Sequence, residues 1–269
     1  MMTNDYENAH KLGEKSYRNE VIRGRYPYLP ALEEILRNRE SLNEEKVGLC
    51  EIPIMLICGT LTRGRQEAFA KNYMPLLSSD SEFARKWINL LEYQENEGIR
   101  DPVKAYEFMG RFYISEGNKR VSVLKYLEQP DILADVVRIL PPENNKSSEV
   151  RIYYEFLKFF KCSSIYGIYF SVEGYYDKLA ELFGMTLNSR WPDEIITNLK
   201  SEFYSFSRLY SEHVGEHSLL TFGDAFMVYA ETYKHDSLLN DSDDTIRGNL
   251  GHIWPEHLSL LEKLKRFVG

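Results

Sequence analysis

The sequence predicts an α+β protein: a small mixed sheet with helices in the N-terminal part, followed by a mostly α-helical C-terminal region. Strand-like runs rich in Val, Ile, Leu and Tyr alternate with helix-patterned segments as far as Pro141-Pro142. PPENNKSSEV (141–150) then reads as a linker, and beyond it nearly every segment has helical spacing. The expected division is therefore 1–140 and 141–269, with the leading helices assigned to the first domain.

Residues 5–23 are polar and suit a helix. RGRYPYLP (23–30) interrupts with two prolines, and Pro30 suits the first turn of a short helix, ALEEILRN. KVGLCEIPIMLICG (46–59) reads as a strand ending at Gly59, with Pro53 marking an edge or bulge. TLTRGRQEAF follows as a basic turn entering a helix. The next helix is signalled by Ser79 with Glu82 as a capping pair, by a stripe of Phe83, Trp87, Leu90 and Leu91, and by Gly98 at its end. IRDPVKAYEFMGRFYISEG reads as two strands turning at Met109-Gly110, where glycine supplies φ > 0. A helix with Val121, Leu124 and Leu127 on one face comes next, then ADVVRIL as the last strand.

In the second region YYEFLKFFK, YYDKLAELFG, WPDEIITNLKSEFYSFSRLY, TFGDAFMVYAETY and WPEHLSLLEKLKRF have helical spacing. Pro192 and Pro255 suit first-turn positions, and Thr221 with Asp224 a cap. IYGIYF (165–170) is the one strand-like exception.

Of 269 residues, 43% are hydrophobic and 28% charged, as in ordinary globular proteins. The net charge is −8, divided as −2 over residues 1–140 and −6 over the remainder. A broad nucleic-acid surface needs clustered cations, so at most weak, non-specific DNA retention is expected. Cys50, Cys58 and Cys162 are odd in number and lack CxxC spacing, so they read as reduced thiols. With no apolar leader and no long apolar run, the expected location is the cytoplasm, without membrane contact.

One stretch carries chemistry: FYISEGNKRVSVLKYL (112–127), a strand, a glycine turn and a helix. The first-turn amides of a helix have no intrahelical acceptor and, with the helix dipole, attract anions. Lys119 and Arg120 stand at that end, where cations are unfavourable by a few tenths of a kcal/mol each. A phosphate would gather both cations and the amides. Alternatively, Glu116 and nearby acids neutralise the pair, leaving a solvated helix start.

Gly117-Asn118-Lys119-Arg120 resembles the Gly-x-(Lys/Arg/His)-Arg phosphate turn of the ParB/sulfiredoxin superfamily, including its "ParB-like nuclease" members. The preceding order is similar over roughly residues 46–140: EIPIMLI with its proline, the loop bearing Arg63 and Arg65, a helix ending in glycine, and paired strands. From RYPYLPALEEIL to YYEFLKFF the chain also looks like the N-terminal region of bacterial proteins. In longer members that region precedes a nucleoside-binding lipoprotein-type module, which is lacking here.

The resemblance implies a nucleoside triphosphate, CTP or ATP, with Mg2+. Gly117, Asn118, Lys119 and Arg120 would grip the phosphates, assisted by Arg63 or Arg65, in a regulatory and DNA-associated role. Two departures bear on chemistry. Sulfiredoxins have their catalytic cysteine where Asn118 stands, so sulfinic-acid reduction is not expected. CTP-hydrolysing ParB proteins have glutamate there followed by two arginines, so Asn118-Lys119 keeps the capacity to bind phosphate and leaves turnover open. A helix-turn-helix is not evident and no metal cluster is apparent.

Other candidates have two readings each. Arg63 and Arg65 either approach phosphates or form an ordinary basic loop. Arg100-Asp101 either supplies a charge to a ligand or is a surface pair. Glu116 either serves as base or Mg2+ ligand, or pairs with Lys119. A serine-type small-molecule kinase would draw its base from Glu116, Asp101 or Glu51. His213-Val-Gly-Glu216-His217 spells H-x-x-E-H, but Gly215 weakens the helix such a zinc site needs, and surface histidines are the alternative. His252 and His257 read as helix-start surface residues. The aromatic run RIYYEFLKFFKCSSIYGIYF is assigned to a homo-oligomer or partner interface rather than to base stacking. A third possibility is an interaction module that has kept the turn and lost its ligand.

Overall fold

Alternation of buried and exposed positions along the N-terminal strands decides how they assemble. The structure, a computed structural model, describes residues 2–36, 39–143, 146–214 and 221–253, with the side chains of residues 2, 3, 65, 213 and 214 outside that description. The protein is α+β, and its chain divides into two compact units, Met1–Pro142 and Glu143–Gly269.

In the first unit α1 (Met2–Ile22) and α2 (Leu32–Ile35) precede β1 (Asn43–Pro53) and β2 (Ile57–Thr60). A 3-10 turn (Arg63–Ala68) leads to α3 (Glu82–Asn96). Then come β3 (Val103–Phe108), β4 (Arg111–Glu116), α4 (Asn118–Tyr126) and β5 (Asp131–Leu140). The sheet order is β1-β5-β3-β4-β2. β1–β5 and β3–β4 are antiparallel, whereas β3–β5 and β2–β4 are parallel.

Residues 46–59, expected as one strand, form two at opposite edges of the sheet. Pro53 ends β1, consistent with the edge position read from it. The Ile54 amide then bonds the Pro130 carbonyl at 2.9 Å, and a 3-10 turn over Ile54–Leu56 redirects the chain. The basic turn after β2 enters 3-10 rather than α-helical structure. The α3 cap is Ser81, whose hydroxyl accepts from the Ala84 amide at 3.1 Å, and not Ser79. At the β3–β4 hairpin Gly110 has φ +74 as expected, and Met109 is also left-handed at +51, the pattern of a type I′ turn.

Trp87 organises the helical side of this unit. It is fully buried, meets Tyr6 and Tyr126 edge to face at 5.5 Å each, and donates its indole N–H to Ser122 at 2.9 Å. The indole thus ties α3 to α4. Residues 121–124 of α4 are all buried, a wider contact than the single stripe expected. Tyr113 packs with Leu32 and Ile139 in a separate cluster.

The second unit contains α5 (Ser148–Ser163), α6 (Tyr175–Leu182), α7 (Asp193–Val214), α8 (Phe222–Tyr233), α9 (Ser237–Asn240) and a helix over 243–253. Thr221 and Asp224 form the expected capping box. The segment 165–170 is not a strand. Its polar groups are taken by helical side chains: the Tyr169 carbonyl accepts from Thr221 Oγ1 at 2.6 Å, and the Ile168 carbonyl from Tyr176 at 2.8 Å. The aromatic run assigned to an interface also lies elsewhere. Tyr153, Phe156, Phe159 and Phe170 are buried within this unit, where Phe159 meets Trp191 at 5.5 Å and Tyr176 at 5.3 Å. Helical spacing identified an apolar face but not what covers it. Residues 215–217 of the H-x-x-E-H motif, the His213 side chain, Pro255, His257 and the WPEHLSLLEKLKRF segment fall outside the described residues.

Candidate phosphate site at the Gly117 corner

The parallel pairing of β2 with β4 fixes the site. Thr60 lies opposite Ile114, so Arg63 and Gly117, each three residues further on, leave the sheet at the same end. Antiparallel β3 begins there too, with Lys104 opposite Glu116, which brings Asp101 and Pro102 to that end. Three strands therefore bring Arg63, Asp101, Pro102 and Gly117 to one end of the sheet.

Gly117 makes the corner. Its φ of +105 and ψ of 17 belong to glycine, and a Cβ there would sit 2.6 Å from Val103 Cγ1. The Gly117 carbonyl accepts the first α4 bond, from the Val121 amide at 3.1 Å. The amides of 118–120 precede that bond and point from the helix end.

The side chains do not all converge. Asn118 is buried and turned inward: its carboxamide nitrogen donates to Thr60 Oγ1 at 3.4 Å and its oxygen accepts from the Tyr73 hydroxyl at 3.3 Å. Only its main-chain amide faces the corner. Arg120 Nη1 donates to the Asp101 and Pro102 carbonyls at 2.7 and 3.0 Å, which offsets the cost of a cation at a helix N-terminus. Lys119 Nζ lies 4.8 Å over the Phe83 ring. Glu116 pairs with Lys104 at 2.7 Å, both side chains well exposed. Arg63 Nε pairs with Glu34 at 2.6 Å while its amide donates to Glu33. The Arg65 side chain lies outside the described residues. Among the described residues no group of three or more His, Cys, Asp and Glu is placed to hold a metal.

Beneath the corner lies a polar layer with no signal of its own in the sequence. Tyr73, fully buried at φ +69, donates to the Gly59 carbonyl at 2.5 Å as well as to Asn118. Lys125 Nζ donates to the Ile57 carbonyl at 2.9 Å and lies 5.2 Å over the Tyr73 ring, near Cys58. Burial raises the Cys58 thiol above its usual range. It pulls the Lys125 amine down, from an ordinary 10.5 to about 8. A left-handed tyrosine and a helical lysine become informative only when contacts across dozens of residues are known.

Lys125 makes a stability prediction with a definite sign. Between about pH 8 and 10.5 the unfolded chain carries the Lys125 proton more often than the native state. Its contribution to stability therefore rises with pH across that window and is lost below it. Lys125→Met is expected to remove this rise and to stabilise the protein at pH 7 by about 1–3 kcal/mol, less whatever the lost Ile57 contact costs. Urea unfolding of both proteins from pH 7 to 10.5 checks this; parallel stability curves would contradict it.

No family model matches the chain, and no curated protein matches it. Among the described residues no helix is long and apolar enough to cross a membrane.

Proposed function

We propose that the Gly117 corner is the phosphate-binding turn of a ParB/sulfiredoxin-like, nucleotide-responsive regulatory protein. The observation that carries this reading is the register of β2 with β4. It brings a left-handed glycine at the start of a helix and the loop carrying Arg63 to one end of the sheet. The order of elements supports it as well: a proline-bearing edge strand, an arginine turn, a helix closed by Gly98, a hairpin, then the corner.

The donors that fit an anion are the first-turn amides and the Lys119 ammonium. Arg120 serves the site differently from Lys119. By holding the Asp101 and Pro102 carbonyls it fixes the start of β3 against Gly117, and it leaves its other guanidinium N–H groups for a ligand. Asn118 is a positioning residue, locking the turn to Tyr73 and Thr60. Mg2+ would arrive with a polyphosphate, which is how that ion is usually bound. A nucleoside triphosphate supplies the charge; the chain supplies amides, a cation and a rigid floor.

Thermal unfolding tests this. CTP or ATP with Mg2+, at about a hundredfold excess over Kd, is expected to raise the melting temperature by about 5 °C. Lys119→Glu should abolish the rise while leaving the ligand-free melting temperature within about 2 °C, since the substitution sits on a partly exposed turn. Absence of any shift with nucleoside triphosphates and inorganic phosphate would overturn the reading. An undiminished shift in Lys119→Glu would place the ligand elsewhere.

A further inference from the structure

A pocket lies in the first unit, and its one residue from the Arg63–Ala68 turn is Glu67. It measures about 510 Å3 and is lined by Glu14, Tyr17 and Arg18 of α1, together with Tyr28, Glu67 and Leu76. That volume suits a small molecule. Tyr17 and Tyr28 meet edge to face, with centroids 5.4 Å apart and planes at 63°, so they form adjoining walls. Tyr26, exposed and 5.6 Å from Tyr28 at 64°, continues the aromatic surface. Leu76 adds an apolar contact.

The charges select the ligand. Arg18 is already engaged, its guanidinium bonded to the Glu14 carboxylate at 3.2 Å and to the Glu14 carbonyl at 3.3 Å. Glu67 is the second carboxylate of the lining. Hydrogen bonding with Tyr17, burial and the Glu67 charge all raise the Tyr28 phenol; burial, then Glu34 and Glu67, raise that of Tyr26. The Glu67 charge is thus felt at both hydroxyls, and an anionic ligand would meet repulsion from it. A hard divalent cation needs about six or more oxygens, and of the two carboxylates in the lining the Glu14 one is already paired with Arg18. Aromatic walls beside a carboxylate suit a cation that is large, weakly hydrated and itself part apolar.

We propose that this pocket binds a small quaternary ammonium compound, held by cation-π contact with Tyr17 and Tyr28 and charge-matched by Glu67. The recognition is independent of the phosphate reading, since none of its residues belongs to the Gly117 corner.

Titration calorimetry of the full chain with choline, and with its uncharged isostere 3,3-dimethylbutan-1-ol, tests the proposal. Choline is expected to bind saturably and the isostere about tenfold more weakly, because only the charge differs. Glu67→Gln, at an exposed position, should weaken choline about threefold and leave the isostere unchanged. Tyr28→Leu should weaken choline about tenfold, and if that variant fails to fold, Glu67→Gln still decides. Equal binding of choline and the isostere, no saturable binding of choline, or unchanged choline binding in Glu67→Gln would each overturn it.

Discussion

Glu107→Ala is expected to destabilise the N-terminal unit by about 3–5 kcal/mol, because it strands a buried guanidinium. Glu107 and Arg138 are register partners on the parallel strands β3 and β5, and their side chains are 0% and 6% exposed. Arg138 Nε donates to Glu107 Oε2 at 2.5 Å, and the other carboxylate oxygen accepts from the Gly110 amide at 2.7 Å. One carboxylate therefore serves both the strand pair and the left-handed hairpin turn. Glu45, well exposed, reaches Arg138 only at 3.7 Å and cannot replace Glu107. Removing both charges should cost far less than removing one, since the desolvation of two ions is then avoided. The double variant Glu107→Leu/Arg138→Met is expected to recover at least half the single-variant loss in urea unfolding. A loss below about 1 kcal/mol for Glu107→Ala would contradict this account of the pair.

Gly117→Ala is expected to cost about 2–4 kcal/mol, from two separable sources. The φ of +105 is one that side-chain-bearing residues rarely adopt, and the new methyl would meet Val103 Cγ1 at 2.6 Å. Combining the substitution with Val103→Ala relieves the contact but not the backbone strain, while opening space where Val103 is buried, so rescue should be incomplete. Gly98→Ala is the control. Its φ is +78 with nothing within 4 Å of a new Cβ, so only the conformational cost of about 1 kcal/mol applies. Equal losses at Gly98 and Gly117 by urea unfolding would mean that the corner is not sterically tight.

Local signals in the sequence sufficed for several local features, though not for the α3 cap, which is Ser81 and not Ser79. The β3–β4 hairpin was legible from Gly110, the α8 cap from Thr221 and Asp224, and the end of β5 from Pro141-Pro142. Where long-range contacts decide, patterning failed. Nothing in KVGLCEIPIMLICG says that its halves belong to opposite sheet edges, because that depends on which strands insert between them. IYGIYF has strand composition, but its carbonyls are satisfied by Thr221 and Tyr176. Glu107 is buried on the same face of β3 as Val103 and Ala105, and the register with Arg138 explains it.

The candidate site divides in the same way. The glycine corner and its cations are contiguous and stood out. The inward turn of Asn118, the Arg120 carbonyl contacts and the pairing of Arg63 with Glu34 depend on residues 18 to 58 positions away in sequence, and did not.

The most direct measurement is an amide NMR titration of the protein with CTP and with ATP, each with Mg2+. Saturable displacement of the Asn118, Lys119 and Arg120 resonances, with the same apparent affinity as the thermal shift, is the expected result. If those three amides stay fixed while either nucleotide binds, or if neither nucleotide moves any resonance, the Gly117 corner is a structural turn and not a phosphate site.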